Sequence, residues 1–130
     1  MIGLDTNILV RYLTLDDATQ AKLAARVFDS LTLDTRGFVS LPVILELVCV
    51  LETSYELKKD RIIETLEALL ATEELVLERS DTVRRAVHRF AMTHADFADC
   101  LIECNCNEAG CPYTLTFDRK AVAAGMRLLA

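Results

Sequence analysis

Short apolar runs alternate with longer segments of helical periodicity along this chain, and no other feature of the sequence constrains the fold as much. Strands are expected at residues 1–4, 37–39, 75–77, 111–117 and 126–129. Helices are expected at residues 6–13, 18–30, 42–52 and 58–71, then from a cap at 80 or 81, and from a cap at 96 to about 108. Strands separated by helices form parallel sheets covered on both faces. We therefore predict one α/β domain over residues 1–130, with a short central parallel sheet of four to five strands and helices on both faces.

Hydropathy and charge bear on whether the chain is a membrane protein, a secreted protein or a nucleic-acid binder. Hydrophobic residues make up 52% of the chain, and no apolar run reaches the ~18 residues that a membrane span needs. No basic region precedes the first apolar stretch, and Asp5 interrupts it, so we expect a cytoplasmic location. The net charge of −6 argues against nucleic acid when taken alone. Carboxylates that hold divalent cations would account for much of that charge, and an acidic chain also suits a basic protein partner.

Four of the five cysteines lie close together, at positions 100, 104, 106 and 111. Their spacing contains no Cys-x2-Cys pair, which a zinc site built from such a cluster would use. An odd number of cysteines in a reducing compartment favours free thiols, most of them buried in the core. We therefore expect free thiols rather than a zinc site, and the sequence leaves a redox role open.

Four carboxylates stand where this architecture would bring side chains together. Asp5 closes the first predicted strand, and Asp118 closes the fourth. Asp99 lies in the first turn of a helix that Asp96 caps, and Glu46 is the sole charge within an otherwise apolar helix. Ligands of open α/β sheets bind beyond the carboxyl ends of the strands, so we expect these acids to meet there.

Each acid also has a purely structural explanation. Asp5 or Asp118 could end a strand at a turn, and an acid in the first turn of a helix complements its dipole. Glu46 is harder to explain, because a carboxylate among apolar neighbours needs a cation, a partner or solvent in a cleft. Clustered carboxylates repel and stay ionised only when cations hold them, and their hard oxygens suit Mg²⁺ or Mn²⁺. A pair of such ions is a recurrent device for phosphodiester hydrolysis.

Four blocks of the sequence, in this order, resemble the PIN domains of VapC-type toxin ribonucleases. They are residues 2–7 (IGLDTN), 40–50 with Glu46, 95–102 (ADFADCLI) and 116–119 (TFDR). The resemblance covers the whole chain and implies a PIN fold and a Mg²⁺-dependent endoribonuclease. The substrate that it implies is structured RNA such as tRNA or rRNA.

The resemblance also implies roles for individual residues. Asp5 and Asp99 would be the principal metal ligands, and Glu46 and Asp118 would complete the acidic catalytic pocket. Outside the metal's own ligands, four further residues would orient ligands or water: Thr6, Asn7, Thr116 and, besides its role as a helix cap, Asp96. The family often has another acid two residues after the fourth carboxylate, where this chain has Lys120, so we expect no fifth acid.

Partners follow from the same resemblance. It implies a VapB-like antitoxin that blocks the cleft with a basic segment, and contact with operator DNA only through that antitoxin. A homodimer and a higher toxin–antitoxin assembly are expected by analogy.

Three arginines around one predicted helix carry a second hypothesis. Arg84, Arg85 and Arg89 could contact the RNA backbone beside the acidic cleft, with Asp81 spaced to pair with Arg85. A solvated helix face explains the same pattern, and we favour that interpretation.

Other functions compete with the nuclease. A phosphoacceptor signalling domain could use Asp5 in an acidic pocket, but it leaves Glu46 unexplained. A catalytically idle binding subunit could keep the fold, although degenerate copies tend to lose charges that are costly to hold together. DNA cleavage is a nearer alternative, and the preference for RNA rests on the family resemblance.

Overall fold

The computed structural model describes all 130 residues. In chain order, its elements are β1 (Ile2–Gly3), α1 (Thr6–Thr14), α2 (Ala18–Ser30), β2 (Gly37–Val39), α3 (Leu41–Thr53), α4 (Lys59–Ala71), β3 (Leu75–Leu77), α5 (Ser80–Met92), α6 (Phe97–Glu108), β4 (Leu115–Thr116), a 3-10 helix (Arg119–Ala124) and β5 (Arg127–Leu128). Internal contacts group the residues into two compact units, which are described in turn. The first unit comprises 1–58 and 68–78, and the second comprises 59–67 and 79–130.

The first unit is built on a parallel three-stranded sheet in the order β1-β2-β3. The Ile2 and Leu4 amides donate to the carbonyl oxygens of Arg36 and Phe38 at 2.8 and 2.9 Å, which ties the N-terminus to the central strand. Helix α1 packs against both α2 and α3. The core of this unit is apolar and includes Leu4, Leu9, Val39, Ile44, Leu47, Leu51 and Leu75.

Helix α3 begins where the sequence predicts. Ser40 is its N-cap, and its Oγ accepts from the Val43 amide at 3.4 Å. Pro42 lies in the first turn, where its missing N–H costs no hydrogen bond. This start directs the apolar face of α3 into the core, where Ile44 and Leu47 are fully buried.

The second unit packs α5 against α6. Their contact includes the rings of Phe90 and Phe97, which meet edge to face with centroids 5.7 Å apart. Strands β4 and β5 pair in parallel, and the 3-10 helix between them packs on α6. No helix in the molecule is both long and apolar enough to cross a membrane.

The α/β class, the parallel direction and all five strands are confirmed, and helices flank the strands. The strands are nevertheless bonded as a three-stranded and a two-stranded sheet rather than as one sheet. Strands β4 and β5 have two residues each, and they pair only with each other. The predicted strand at 111–117 is correct only for Leu115–Thr116, because the chain bends at Pro112, which cannot donate a strand hydrogen bond, and residues 113 and 114 have no regular structure.

In the second unit, one local prediction is wrong and one element was not predicted. Helix α5 begins at Ser80 with Arg79 at its N-cap, so neither Ser80 nor Asp81 caps it. Arg79 has φ 49° and makes no side-chain cap bond. The 3-10 helix over Arg119–Ala124 was not predicted, because its six residues are too few to show helical periodicity.

The cysteines are free, as expected, but most of them are not buried. Cys100 and Cys104 lie in the core of the second unit, whereas Cys106 is half-buried and Cys49 and Cys111 are exposed. Cys106 and Cys111 lie at the C-terminal end of α6 and just beyond it, where core packing ends.

Gly37→Ala should destabilise the first unit. A Cβ atom at Gly37 would lie 2.8 Å from Leu4 Cδ1 and 3.0 Å from both Leu31 Cδ1 and Leu75 Cδ2. Overpacking of this kind costs about 1–3 kcal/mol of unfolding free energy. Urea unfolding measures the loss, and Gly3→Ala is the control, because nothing lies within 4 Å of a Cβ there. Equal stability of the two variants would contradict the packing described for β2.

Candidate active site

Asp5 joins the first strand to the first helix. It is the N-cap of α1, and its Oδ1 accepts from the Thr6 amide at 2.7 Å. This bond uses only one carboxylate oxygen of Asp5. No lysine or arginine forms a salt bridge with this side chain. Oδ2 is therefore available to a ligand from solvent.

Asp5 lines an open pocket of about 290 Å³ in the first unit, together with Thr6, Asn7 and Glu46. Glu46 projects from α3 and is exposed, although its helix neighbours Leu47 and Val48 are buried. The sequence predicts a cation, a partner or solvent in a cleft beside Glu46, and in the structure this side chain is exposed to solvent in a cleft. Both carboxylates therefore face the same solvent-filled space.

The hydroxyl of Thr6 is the one buried side-chain oxygen or nitrogen without a hydrogen-bond partner. Thr6 is 5% exposed, and it lines the same pocket as Asp5 and Glu46. Leaving a hydroxyl unbonded and shielded from water costs about 1–3 kcal/mol. A ligand, or water held by a ligand, would satisfy this oxygen, so the chemistry of the pocket fits a hydrated cation.

Arg11, a cation that the sequence does not mark as a site residue, also lines this pocket. The Arg11 guanidinium donates from Nε to Gln20 Oε1 at 2.6 Å and from Nη1 to Asp16 Oδ1 at 3.0 Å. The Tyr55 hydroxyl donates to Asp16 Oδ2 at 2.6 Å. Hydrogen bonds from Tyr55 and Thr14, followed by the charge of Arg11, hold the pKa of Asp16 below its usual range. No spacing in the sequence signals this network, because Tyr55 and Asp16 come from distant segments.

The second unit carries its own acidic cluster. Asp99 lies in the first turn of α6, half-buried, and its pKa is raised first by burial and then by the charges of Asp96 and Asp118. Asp96 occupies the N-cap position but makes no side-chain cap bond, so its carboxylate is not used by the helix. The predicted capping position is correct, but the cap bond is absent. Like charges that raise a carboxylate pKa also raise its affinity for a cation.

Asp118 is held by its own backbone neighbourhood. Its amide donates to Thr116 Oγ1 at 3.0 Å, and its Oδ1 accepts from the Lys120 amide at 2.9 Å, which caps the 3-10 helix. Thr116 thus fixes the backbone of Asp118 itself. Lys120 occupies the position where the family often has a fifth acid, and its backbone N–H donates to Asp118 Oδ1.

The structure places the predicted acids in two sets. Asp5 and Glu46 line one pocket of the first unit, and Asp96, Asp99 and Asp118 interact electrostatically in the second. No three His, Cys, Asp or Glu side chains form a closed set of metal ligands. The donors in both sets are carboxylate and hydroxyl oxygens, which fit a hard divalent cation such as Mg²⁺ or Mn²⁺.

The three predicted RNA-contacting arginines differ in their surroundings. Arg84 pairs with Asp81 at 3.6 Å and Arg85 with Glu108 at 2.9 Å, and all four side chains are largely exposed. The predicted pairing of Asp81 with Arg85 is therefore wrong, because Asp81 reaches Arg84 one residue earlier. Arg89 donates to Glu103 and, at 2.7 Å, to the Ala124 carbonyl. Arg89 thus ties α5 to α6 and to the end of the 3-10 helix.

The α/β fold of this chain carries acidic side chains at strand ends and helix starts. The family model of the PIN domain matches residues 2–125, and the chain belongs to this family. It is similar to a protein named VapC ribonuclease from Aquifex aeolicus (strain VF5), with 26% identity over 125 residues, which are 95% of this chain and 92% of the relative. The resemblance to VapC-like PIN domains is thus confirmed.

Tyr55→Phe should raise the pKa of Asp16 toward its ordinary value, because it removes the hydrogen bond that lowers this pKa most. A carboxylate with a depressed folded-state pKa stabilises the fold above its unfolded pKa and loses that effect as the pH falls through the folded pKa. The stability difference between wild type and variant should therefore be present at neutral pH and shrink below the pKa of Asp16. NMR titration of the Asp16 carboxyl carbon measures the shift.

Tyr113→Phe is the matched control for this titration. Tyr113 is half-exposed, belongs to the second unit and stacks under the Arg127 guanidinium, 3.8 Å from the ring centroid. Its hydroxyl takes no part in the Asp16 network. An Asp16 pKa that moves equally in both variants would contradict the assigned cause.

Proposed function

We propose that this chain is a metal-dependent endoribonuclease of the VapC type, the toxin of a toxin–antitoxin pair, with one PIN domain over residues 1–130. One observation carries the proposal: Asp5 and Glu46 line one pocket, and Asp99 lies where the charges of Asp96 and Asp118 oppose its ionisation. Carboxylates held near one another repel, and a divalent cation relieves that repulsion.

In this proposal the four carboxylates are ligands for divalent ions. Asp5 and Asp99 are the principal ligands, and Glu46 and Asp118 complete the set. Thr6 and Asn7 orient water in the pocket of the first unit, and Thr116 fixes the backbone of Asp118. When bound, Mg²⁺ or Mn²⁺ would supply a water of lowered pKa and stabilise the leaving oxygen.

The chain's own residues prepare the reaction electrostatically. Burial and the charges of Asp96 and Asp118 oppose ionisation of Asp99 in the ion-free protein. A divalent cation relieves this repulsion, so the electrostatic repulsion of the ion-free site favours cation binding. Asp96, with no cap bond, contributes from outside the ligand set by raising the local negative potential.

The proposed substrate is structured RNA, such as tRNA or rRNA. The name of the Aquifex relative, a ribonuclease, supports RNA as the class of substrate. Arg84 and Arg85 are largely exposed and pair with acids at the surface, so a phosphate can replace those partners. Arg89 is bound internally by Glu103 and Ala124, so we assign it to the fold rather than to RNA.

The proposed partner is a VapB-like antitoxin. A basic segment of such a protein complements an acidic pocket and a chain of net charge −6. Contact with operator DNA would come through the antitoxin, and a homodimer would form the core of the assembly.

Asp5→Asn and Asp99→Asn should each lower RNA cleavage by ~100-fold or more, because each removes a principal metal ligand. Cleavage of total RNA is measured in chelator-treated, repurified protein before and after Mg²⁺ or Mn²⁺ is restored. Wild-type activity should vanish with the chelator and return with the ion. Asp34→Asn, an exposed acid of a loop, is the control and should cleave like wild type.

Metal binding by calorimetry tests the ligand assignment directly. Asp5→Asn and Asp99→Asn should each weaken metal binding, while their melting temperatures stay at or above that of wild type. Full activity of either variant, or unchanged metal binding, would refute the assignment. A catalytically idle subunit would show no cleavage in any arm.

Expression in cells without the antitoxin provides a second test. Wild-type protein should arrest growth within a few generations, and Asp5→Asn should not, at equal protein levels by immunoblot. Sequencing of RNA ends shortly after induction should then reveal new ends in one RNA species with wild type alone. Growth arrest by Asp5→Asn to the same degree would separate toxicity from hydrolysis.

A further inference from the structure

Two cysteines close the turn that ends α6. The Cys111 amide donates to the Cys106 carbonyl at 3.0 Å, and the Gly110 amide donates to the Asn107 carbonyl at 3.0 Å. Gly110 has φ 99°, the left-handed conformation that such a helix end requires. This pair of bonds is the Schellman motif, in which the residues at the positions of Cys106 and Cys111 commonly bring their side chains into contact.

The backbone geometry permits a covalent link between these two residues. Standard bond lengths and the 3.0 Å hydrogen bond limit the distance between the two Cα atoms to roughly 6.9 Å. The true distance is shorter, because the hydrogen bond is bent at the carbonyl oxygen. A disulfide joins Cα atoms roughly 4.4–6.8 Å apart.

Accessibility separates this pair from the other thiols. Cys111 is exposed and Cys106 is half-buried, so a small oxidant reaches them. Cys100 and Cys104 are fully buried, so a dissolved oxidant does not reach them. Cys49 is exposed on α3 of the first unit and is therefore a solitary thiol for comparison.

We propose that Cys106 and Cys111 form an oxidisable dithiol, which a small disulfide such as oxidised glutathione converts to an intrachain disulfide. The Cys111 thiolate attacks one sulfur of the oxidant and releases one thiol, leaving a mixed disulfide. The Cys106 thiolate then attacks the Cys111 sulfur and releases the second thiol. The two cysteines lose two electrons and two protons, and the small disulfide is reduced to two thiols.

This modification is independent of the proposed nuclease. Asp99 and Cys106 lie on the same helix, seven residues apart in sequence, which separates them by roughly 10 Å along its axis. The disulfide would lock the existing turn at the C-terminal end of α6 without moving the first turn. The chemistry is reversible by thiols and can be tested with no RNA and no metal.

The experiment treats the full-length reduced protein with oxidised glutathione and follows it by mass spectrometry. Residues 106 and 111 should be found joined, lighter by two hydrogens and restored by dithiothreitol, whereas Cys49 should carry glutathione. Since Cys106 reacts intramolecularly, the intrachain product should exceed the mixed disulfide at this pair by ~10-fold or more. After blocking of free thiols and unfolding, cleavage at Glu108 should leave two fragments held together only by this bond.

Single variants identify the bond. Cys106→Ser should trap glutathione on Cys111, and Cys111→Ser should abolish the intrachain product, while Cys49→Ser should leave it unchanged. Cross-linking that persists in Cys106→Ser would assign the partner to Cys104 and overturn the proposal. Retention of glutathione on wild-type Cys106 or Cys111, as on Cys49, would overturn it as well.

Discussion

Electrostatic repulsion between carboxylates is the constraint on which the candidate site depends. Asp99 is held half-buried at the start of α6, where Asp96 and Asp118 oppose its ionisation. A folded chain tolerates this only because surrounding contacts, such as the packing of Phe97 in the core, fix the helix in place. The same arrangement would be a defect in a purely structural element. It becomes useful once a divalent ion supplies the missing positive charge.

Short-range backbone bonds hold the acids without consuming them. Asp5 and Asp118 each use one carboxylate oxygen to accept a backbone N–H at a helix start, and each keeps its second oxygen for solvent. Their orientation therefore comes from local chain geometry and needs no counter-ion. Glu46 has no such bond and is placed by α3 alone, whose neighbouring face is anchored in the core through Ile44 and Leu47.

Most of the fold and the chain position of each acid could be predicted from the sequence, because local signals sufficed. Ser40 marks the start of α3, and the acids lie next to recognisable strand and helix ends. Prediction failed where distant segments or unusual backbone decide the outcome. Arg79 starts α5 in a left-handed conformation that no propensity favours for arginine. The hydrogen-bond network of Arg11 needs Tyr55, which lies two residues beyond the end of α3, so sequence spacing does not indicate it.

The unsatisfied hydroxyl of Thr6 has a consequence beyond chemistry. A ligand that supplies this bond would bind the folded chain and not the unfolded one, so binding and folding would be thermodynamically linked. The stability of the folded chain would then rise with the concentration of that ligand.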